Sequence, residues 1–153
     1  MAKDDCIDLT FAYSYSFICL QGSAKLYGFL QAKKIKATHF FLGINILQNP
    51  QLFLTAFDAL KDDIAVHTWS HPYLTTLSNE QIFAELAFTM KIIHESTGGR
   101  LPRFWRPPYG DMDQRVHAIA KLLGLTAILW NHEWVLAFSW LAHVVGFIMW
   151  PCT

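Results

Sequence analysis

A chain of 153 residues with 53% apolar and 15% aromatic residues has enough apolar surface for a packed core, which excludes a disordered protein. Twelve basic residues balance twelve acidic ones, so charge favours neither nucleic acid nor an anionic membrane as a partner. Cys6, Cys19 and Cys152 are odd in number and lack metal-ligand spacing, so they support neither a disulfide framework nor a thiolate zinc site. We expect one domain, residues 1–153, and a monomer.

Short apolar stretches predict five strands in chain order. Each is followed by a polar turn or by a turn containing glycine or proline. The stretches are IDLTF (7–11), ATHFFLG (37–43), IAVH (64–67), RFWRP (103–107) and TAILW (126–130).

Helical patterns lie between these strands, and two of them are well marked. One begins at Ser78, where Gln81 completes a capping box, and ends before Gly98. The other runs from about Asp113 to a terminating Gly124. Their predicted buried faces comprise Ile82, Leu86, Met90 and Ile93 in the first helix, and Val116, Ile119, Ala120 and Leu123 in the second.

Alternating strands and helices predict a parallel sheet, either doubly wound or part of a barrel. In both architectures, functional residues collect where the strands end. The segment VHTWSH follows the third predicted strand and RPPYGD follows the fourth, so both are expected at the same edge.

The segment VHTWSH contains His67 and His71, spaced i and i+4. On one helical turn this spacing puts both imidazoles on one side, where two nitrogens can bind one zinc ion. Alternatively, one imidazole packs in the core and the other caps a turn. The spacing of His67 and His71 alone does not decide between a zinc site and a structural role.

The segment RPPYGD presents three candidate functional side chains on a stiff loop. Its two prolines restrict the chain, so Arg106, Tyr109 and Asp111 have little conformational freedom, and Gly110 lets the backbone approach a ligand. The alternative is a turn between strand and helix, with Asp111 as the helix cap.

Long ordered segments resemble the polysaccharide deacetylases with a NodB-homology domain, carbohydrate esterase family 4, and most of all fungal chitin deacetylases. They are KKIKATHFFLGINILQNP, AVHTWSHPYLTTLSNEQIFAELAFTMKIIHESTGG and LPRFWRPPYGDMDQRVHAIAKLLGLTAILWN, a family-like core over residues 33–131. The resemblance implies an irregular, incomplete (β/α) barrel that binds zinc or cobalt. It also implies removal of acetyl groups from N-acetylglucosamine polymers such as chitin, in an extracellular or cell-wall location.

The resemblance also assigns roles to individual residues. His67 and His71 are the histidine metal ligands, and Arg106 matches the arginine that orients a catalytic aspartate. The backbone amide of Tyr109 is expected to stabilise the oxyanion. Substrate contacts are expected from Trp105, Pro107, Tyr109 and Trp134.

Two departures from the family pattern concern the ends of the chain. The family motif Thr-Phe-Asp-Asp supplies a general base and a third metal ligand, whereas this chain has Ala12 and Tyr13 after Thr10 and Phe11. After Asn131 the similarity fades. The apolar tail at 135–150 is shorter than the roughly 20 residues that span a membrane, and the start lacks a secretory signal pattern.

These observations predict an α/β fold, a truncated NodB-type barrel, with a weakly bound zinc or cobalt ion and an incomplete catalytic set. The predicted function is metal-dependent deacetylation of chitin or a related polysaccharide. The alternatives are a noncatalytic protein that binds chitin oligomers and an inactive truncated gene product. Restoring both carboxylates, by Ala12→Asp with Tyr13→Asp, is expected to recover metal affinity.

Overall fold

The fold is built on one parallel sheet, as seen in a computed structural model that describes residues 13–17 and 23–129, with side chains from residue 26. All strand pairs are parallel, and the order along the sheet follows the order along the chain. A strand order without reversal is that of a (β/α) barrel rather than of a doubly wound sheet. The strands are β1 (Tyr13–Phe17), β2 (Ala37–Phe41), β3 (Asp63–Val66), β4 (Phe104–Trp105) and β5 (Thr126–Ala127).

Helices connect the strands, as the alternating pattern predicts. Four of the five predicted strands coincide with β2 to β5, although β4 and β5 are only two residues long. The helices are α1 (Ser23–Lys33), α2 (Gly43–Gln48), α3 (Pro50–Leu54) with a π-helical turn (Thr55–Ala59), α4 (Asn79–Ser96) and α5 (Gln114–Leu122); single 3-10 turns lie at Leu74–Thr76 and Pro108–Gly110.

Helix α4 has the predicted capping box. The Ser78 side chain accepts from the N–H of Gln81, and the Gln81 side chain accepts from the N–H of Ser78 at 2.9 Å. These two hydrogen bonds satisfy backbone N–H groups that would otherwise have no partner at the start of the helix. Of the predicted inward residues, Ile82, Leu86 and Ile93 are buried and Met90 is partly buried.

Helix α5 is capped by Asp113, whose side chain accepts from the N–H of Val116 at 2.8 Å. The alternative in which Asp111 caps this helix is therefore wrong. The helix ends before Gly124, whose φ of 77° lies in the left-handed region. Val116 and Ala120 are buried, which confirms the predicted inner face.

The first strand differs from the sequence prediction. The predicted strand 7–11 lies outside the described residues, whereas β1 pairs Tyr13 with Ala37 and Phe17 with Phe41. Tyr13 therefore lies at the amino end of β1, and the expectation that this position follows the strand's carboxyl end is wrong in this structure. At about 3.3 Å per residue, Tyr13 is roughly 13 Å from the level of Phe17.

A buried polar pair, which no sequence pattern predicted, joins β2 to the segment before β3. His39 Nε2 lies 2.7 Å from a carboxylate oxygen of Asp62, and both side chains are 0% exposed. The second Asp62 oxygen accepts from the N–H of Ala37 at 3.3 Å. Burial is the largest influence on the pKa of His39 and lowers it, while Asp62 opposes that change.

None of the helices in the described part of the chain is both long and apolar enough to cross a membrane. The apolar tail at 135–150 lies outside the described residues.

Candidate metal and substrate site

The two segments singled out in the sequence meet at the carboxyl edge of the sheet. His67 directly follows β3 and Arg106 directly follows β4, which pair through Val66 and Trp105. The N–H of His67 donates to the carbonyl of Phe41 at 2.9 Å, and the N–H of Arg106 donates to that of Val66 at 2.9 Å. The ladder therefore continues past the strand ends and fixes both residues.

The two histidines are brought together by a loop rather than by the predicted helical turn. Thr68 has φ 68° and His71 has φ 65°, left-handed values that are uncommon for residues other than glycine. The Thr68 hydroxyl accepts from the N–H of His71 at 3.1 Å and closes the loop. The ring centroids of His67 and His71 are consequently 5.0 Å apart, with the planes at 71°.

The environment of His67 fixes its protonation state. Its Nδ1 lies 2.8 Å from the carbonyl oxygen of Arg106, and since a carbonyl only accepts, Nδ1 carries the proton. Burial lowers the pKa of His67 to about 4; the hydrogen bond to the Arg106 carbonyl opposes this change, while the charges of His71 and Arg106 add to it. Burial also lowers the pKa of His71. Both imidazoles are therefore neutral near pH 7, and Nε2 of His67 has a free electron pair, as metal ligation requires.

Arg106 places a buried cation beside these histidines. Its side chain is only 4% exposed, and its Cζ lies 4.0 Å from the ring centroid of Phe40. Its Nε donates to the carbonyl of Ile128 at 3.2 Å. Burial lowers the pKa of Arg106 to about 10, so the guanidinium remains charged near neutral pH. A cation over an aromatic face in a partly desolvated setting is held firmly in place.

Two exposed tyrosines extend the site towards solvent. Tyr109 and Tyr73 are each 55% exposed, and their rings stack at 4.1 Å with 14° between the planes. The other neighbour of Tyr109 is His71, whose ring centroid lies 4.6 Å away. Tyr109 itself has φ 58°, inside the turn that follows the two prolines.

The other expected substrate contacts are placed differently. Pro107 is buried, and Trp105 is 0% exposed and belongs to the hydrophobic core. Their positions give both residues a packing role in the structure, and direct contact with a substrate stays a prediction. Trp134 lies outside the described residues.

Contacts between the two loops involve residues that motif reading missed or assigned elsewhere. The Asp111 carboxylate accepts from the N–H of Thr75 at 2.8 Å and from its hydroxyl at 2.9 Å. Arg115 on α5 donates to the carbonyls of Leu77 at 2.7 Å and Thr75 at 3.0 Å. These bonds tie the segment after the histidines to the RPPYGD loop, and no local sequence signal marks such distant partners.

Within the described residues, His67 and His71 are the candidate metal ligands that the structure brings together. No group of three or more His, Cys, Asp or Glu side chains that could hold a metal ion occurs in that part of the chain. His67 and His71 fit two ligand positions by their neutrality, tautomer and proximity. A metal role for them stays a prediction.

Known proteins are similar to this chain in sequence and in fold. The family model for polysaccharide deacetylase matches residues 2–128, which include all five strands. The protein belongs to the polysaccharide deacetylase family. It is 52% identical over 114 residues to chitin deacetylase 3 of Cryptococcus neoformans, covering 72% of this chain and 28% of that protein. It is 39% identical over 118 residues to chitin deacetylase 2 of Saccharomyces cerevisiae, covering 77% of this chain and 36% of that protein.

A solved carbohydrate esterase structure matches the architecture as well. The family 4 carbohydrate esterase from Streptomyces lividans, determined in complex with acetate, superposes with a TM-score of 0.73 at 27% identity, over 79% of this chain and 62% of that chain. The predicted α/β fold of the NodB type is thereby confirmed. The chain spans about a third or less of the curated relatives' length.

Proposed function

We propose that this polysaccharide deacetylase domain carries a site for metal-dependent deacetylation of N-acetylglucosamine residues in chitin or a related polysaccharide, with an incomplete catalytic set. The observation that carries the proposal is the geometry of His67, which donates Nδ1–H to the Arg106 carbonyl and lies beside His71. Identity of 52% to a chitin deacetylase favours chitin as the substrate class.

The metal ligands in this proposal are His67 and His71, and the ion is zinc or cobalt. When bound, such an ion supplies polarisation of the acetamide carbonyl and a water that is nucleophilic near neutral pH. The protein contributes two neutral nitrogens, one of them with its tautomer fixed by the Arg106 carbonyl. Binding is expected to be weak because the described residues bring no third His, Cys, Asp or Glu side chain to the two histidines.

Substrate recognition is assigned to the exposed side of the site. Tyr109 offers its backbone N–H to the oxyanion, and its ring with that of Tyr73 offers an aromatic surface to a sugar ring. The charge of Arg106 favours an anionic group next to the histidines. Trp105, Pro107 and Trp134 remain proposed contacts, and an extracellular or cell-wall location is proposed from the family resemblance.

Zinc titration of the full chain by calorimetry tests the metal assignment. The double variant His67→Ala with His71→Ala is expected to lose the zinc binding of the wild type. His117→Ala is the matched control, because it removes an exposed imidazole on α5 and is expected to bind zinc as the wild type does. Equal zinc affinity in the wild type and the double variant would contradict the assignment.

Acetate release from N-acetylglucosamine oligomers with added zinc or cobalt tests the incomplete catalytic set. General base catalysis typically raises a reaction rate by a factor of about 10² to 10⁴. We therefore expect turnover at least about 100-fold below that of a family member with both aspartates. Turnover equal to that of such a member would show that another residue supplies the base.

The second candidate function is noncatalytic binding of chitin oligomers, which the exposed Tyr73 and Tyr109 pair favours. It predicts oligomer binding in the absence of metal that is lost in Tyr73→Ala and retained in His67→Ala. The deacetylation site instead predicts that both variants weaken binding in the presence of zinc.

A further inference from the structure

The loop that carries the two histidines is held from the side by a glutamate on α4. One carboxylate oxygen of Glu85 accepts from the N–H of Trp69 at 2.7 Å and from that of Ser70 at 2.9 Å. The other oxygen accepts from the Ser70 hydroxyl at 2.6 Å. A single partly buried side chain thus takes three hydrogen bonds from two consecutive loop residues.

The left-handed residue Thr68 explains why the loop needs an anionic acceptor. Successive N–H groups in a turn that contains a left-handed residue can form a concave group of donors, and such a group favours an anion. Here the amides of Trp69 and Ser70 both point to Glu85. Charge-assisted hydrogen bonds of this kind are about twice as strong as neutral ones.

The opposite side of the loop is fixed by α2. The N–H of Gly43 donates to the carbonyl of Thr68 at 3.0 Å, and the N–H of Ile44 donates to that of Trp69 at 3.2 Å. The helix end therefore holds the carbonyls while Glu85 holds the amides. The position of His71, which follows Ser70 in the chain, depends on both sets of bonds.

We propose that Glu85 is a positioning residue for the metal-binding pair, which holds His71 beside His67 by fixing the amides of Trp69 and Ser70. This inference rests on the proposed function for its metal, but its geometric part concerns the protein alone. This role requires no contact between Glu85 and the substrate or the ion. It acts through the loop backbone.

Zinc calorimetry on the full chain gives the first test. Substitution of residues that orient metal ligands typically lowers metal affinity about 10- to 100-fold, and we expect this loss for Glu85→Ala. Glu85→Gln keeps an oxygen acceptor without the charge and is expected to lose less. Glu95→Ala is the matched control, since it removes the same charge from the same helix but breaks only an exposed pair with Lys91.

The cobalt spectrum separates positioning from a general loss of stability. At saturating cobalt, the d–d absorption of Glu85→Ala is expected to differ from that of the wild type, because the two imidazoles are no longer held at one angle. A purely structural role would leave the saturated spectrum unchanged. An unchanged zinc affinity in Glu85→Ala, or unfolding of both Glu85→Ala and Glu85→Gln, would overturn the proposal.

A metal-free measurement distinguishes failure of this inference from failure of the proposed function. In the metal-free wild type, NMR contacts between the rings of His67 and His71 are expected, since their centroids are 5.0 Å apart. These contacts should disappear in Glu85→Ala and persist in Glu95→Ala. A wild type that shows the contacts but binds no zinc would refute the metal site alone, whereas contacts that persist in Glu85→Ala would refute the positioning role alone.

Discussion

Gly43 leaves the space that the Trp69 ring occupies, so Gly43→Ala should perturb the histidine loop directly. A Cβ built on Gly43 would lie 2.2 Å from Cε3 of Trp69 and 2.8 Å from the hydroxyl oxygen of Thr89. Carbon atoms prefer separations of about 3.5 to 4.0 Å, so the indole must move by more than about 1 Å. That movement would pull the Trp69 amide away from Glu85, to which it donates at 2.7 Å.

The expected cost is that of overpacking a buried position, about 1–3 kcal/mol. Gly28→Ala is the matched control: Gly28 lies inside α1, and a Cβ there would meet nothing within 4 Å. Alanine is favoured over glycine in a helix interior by roughly 0.5–1 kcal/mol, so this variant should be more stable than the wild type. The same chemical change is therefore predicted to have opposite signs at the two positions.

Urea unfolding of both variants measures the free energy of unfolding. The slope of this free energy against urea concentration should be the same in both variants and in the wild type. Zinc titration of Gly43→Ala should also show weaker binding, because the loop that holds His71 moves with Trp69. A Gly43→Ala protein as stable as the wild type, with unchanged zinc affinity, would refute this account of the loop.

Two further predictions concern β1 and the buried pair. Tyr13 pairs with Ala37 at the amino end of β1, so Tyr13→Asp should leave zinc affinity unchanged. Ser16→Asp lies nearer the carboxyl end of β1 and should raise zinc affinity. The reverse result would favour the strand boundary taken from the family motif. The pKa of His39 is lower in the folded protein than in the unfolded chain. At a pH below about 6.5 the unfolded chain therefore binds more protons than the folded protein, and the free energy of unfolding should fall. Between pH 7.5 and 5.5 the free energy of unfolding should fall less for His39→Gln than for the wild type. Equal falls in the two proteins would contradict the role of His39.

Elements with local signals were predictable from the sequence. The capping box at Ser78 and the terminating Gly124 depend on neighbours within a few residues, and both occur as predicted. The meeting of His67 and Arg106 at one edge followed from parallel topology alone. The helix ends depend on near neighbours in the sequence, and the common edge depends on the parallel topology of the sheet, so both can be predicted without knowledge of individual side-chain contacts.

Features that depend on distant partners were not predictable. The loop geometry between His67 and His71 needs left-handed conformations at Thr68 and His71, which their residue types do not signal. The contact that stabilises this loop comes from Glu85 on α4, and no sequence pattern near Glu85 marks this role. The i, i+4 spacing did not predict the conformation of this loop, and the metal role that it suggests stays a prediction.

The position of β1 shows why strand alternation leaves a register open. The predicted strand begins at residue 7 and the observed one at residue 13, and this shift of six residues is even. An even shift keeps every residue on the same face of the sheet, so an alternating pattern fits both placements. Distance along the strand then decides which residue reaches the carboxyl edge. The two placements differ by roughly 20 Å along the sheet, far more than the 2.0–2.2 Å of a zinc–oxygen bond. Metal affinity after placing a carboxylate at residue 13 or 16 therefore reports which segment forms the first strand, independently of any catalytic activity.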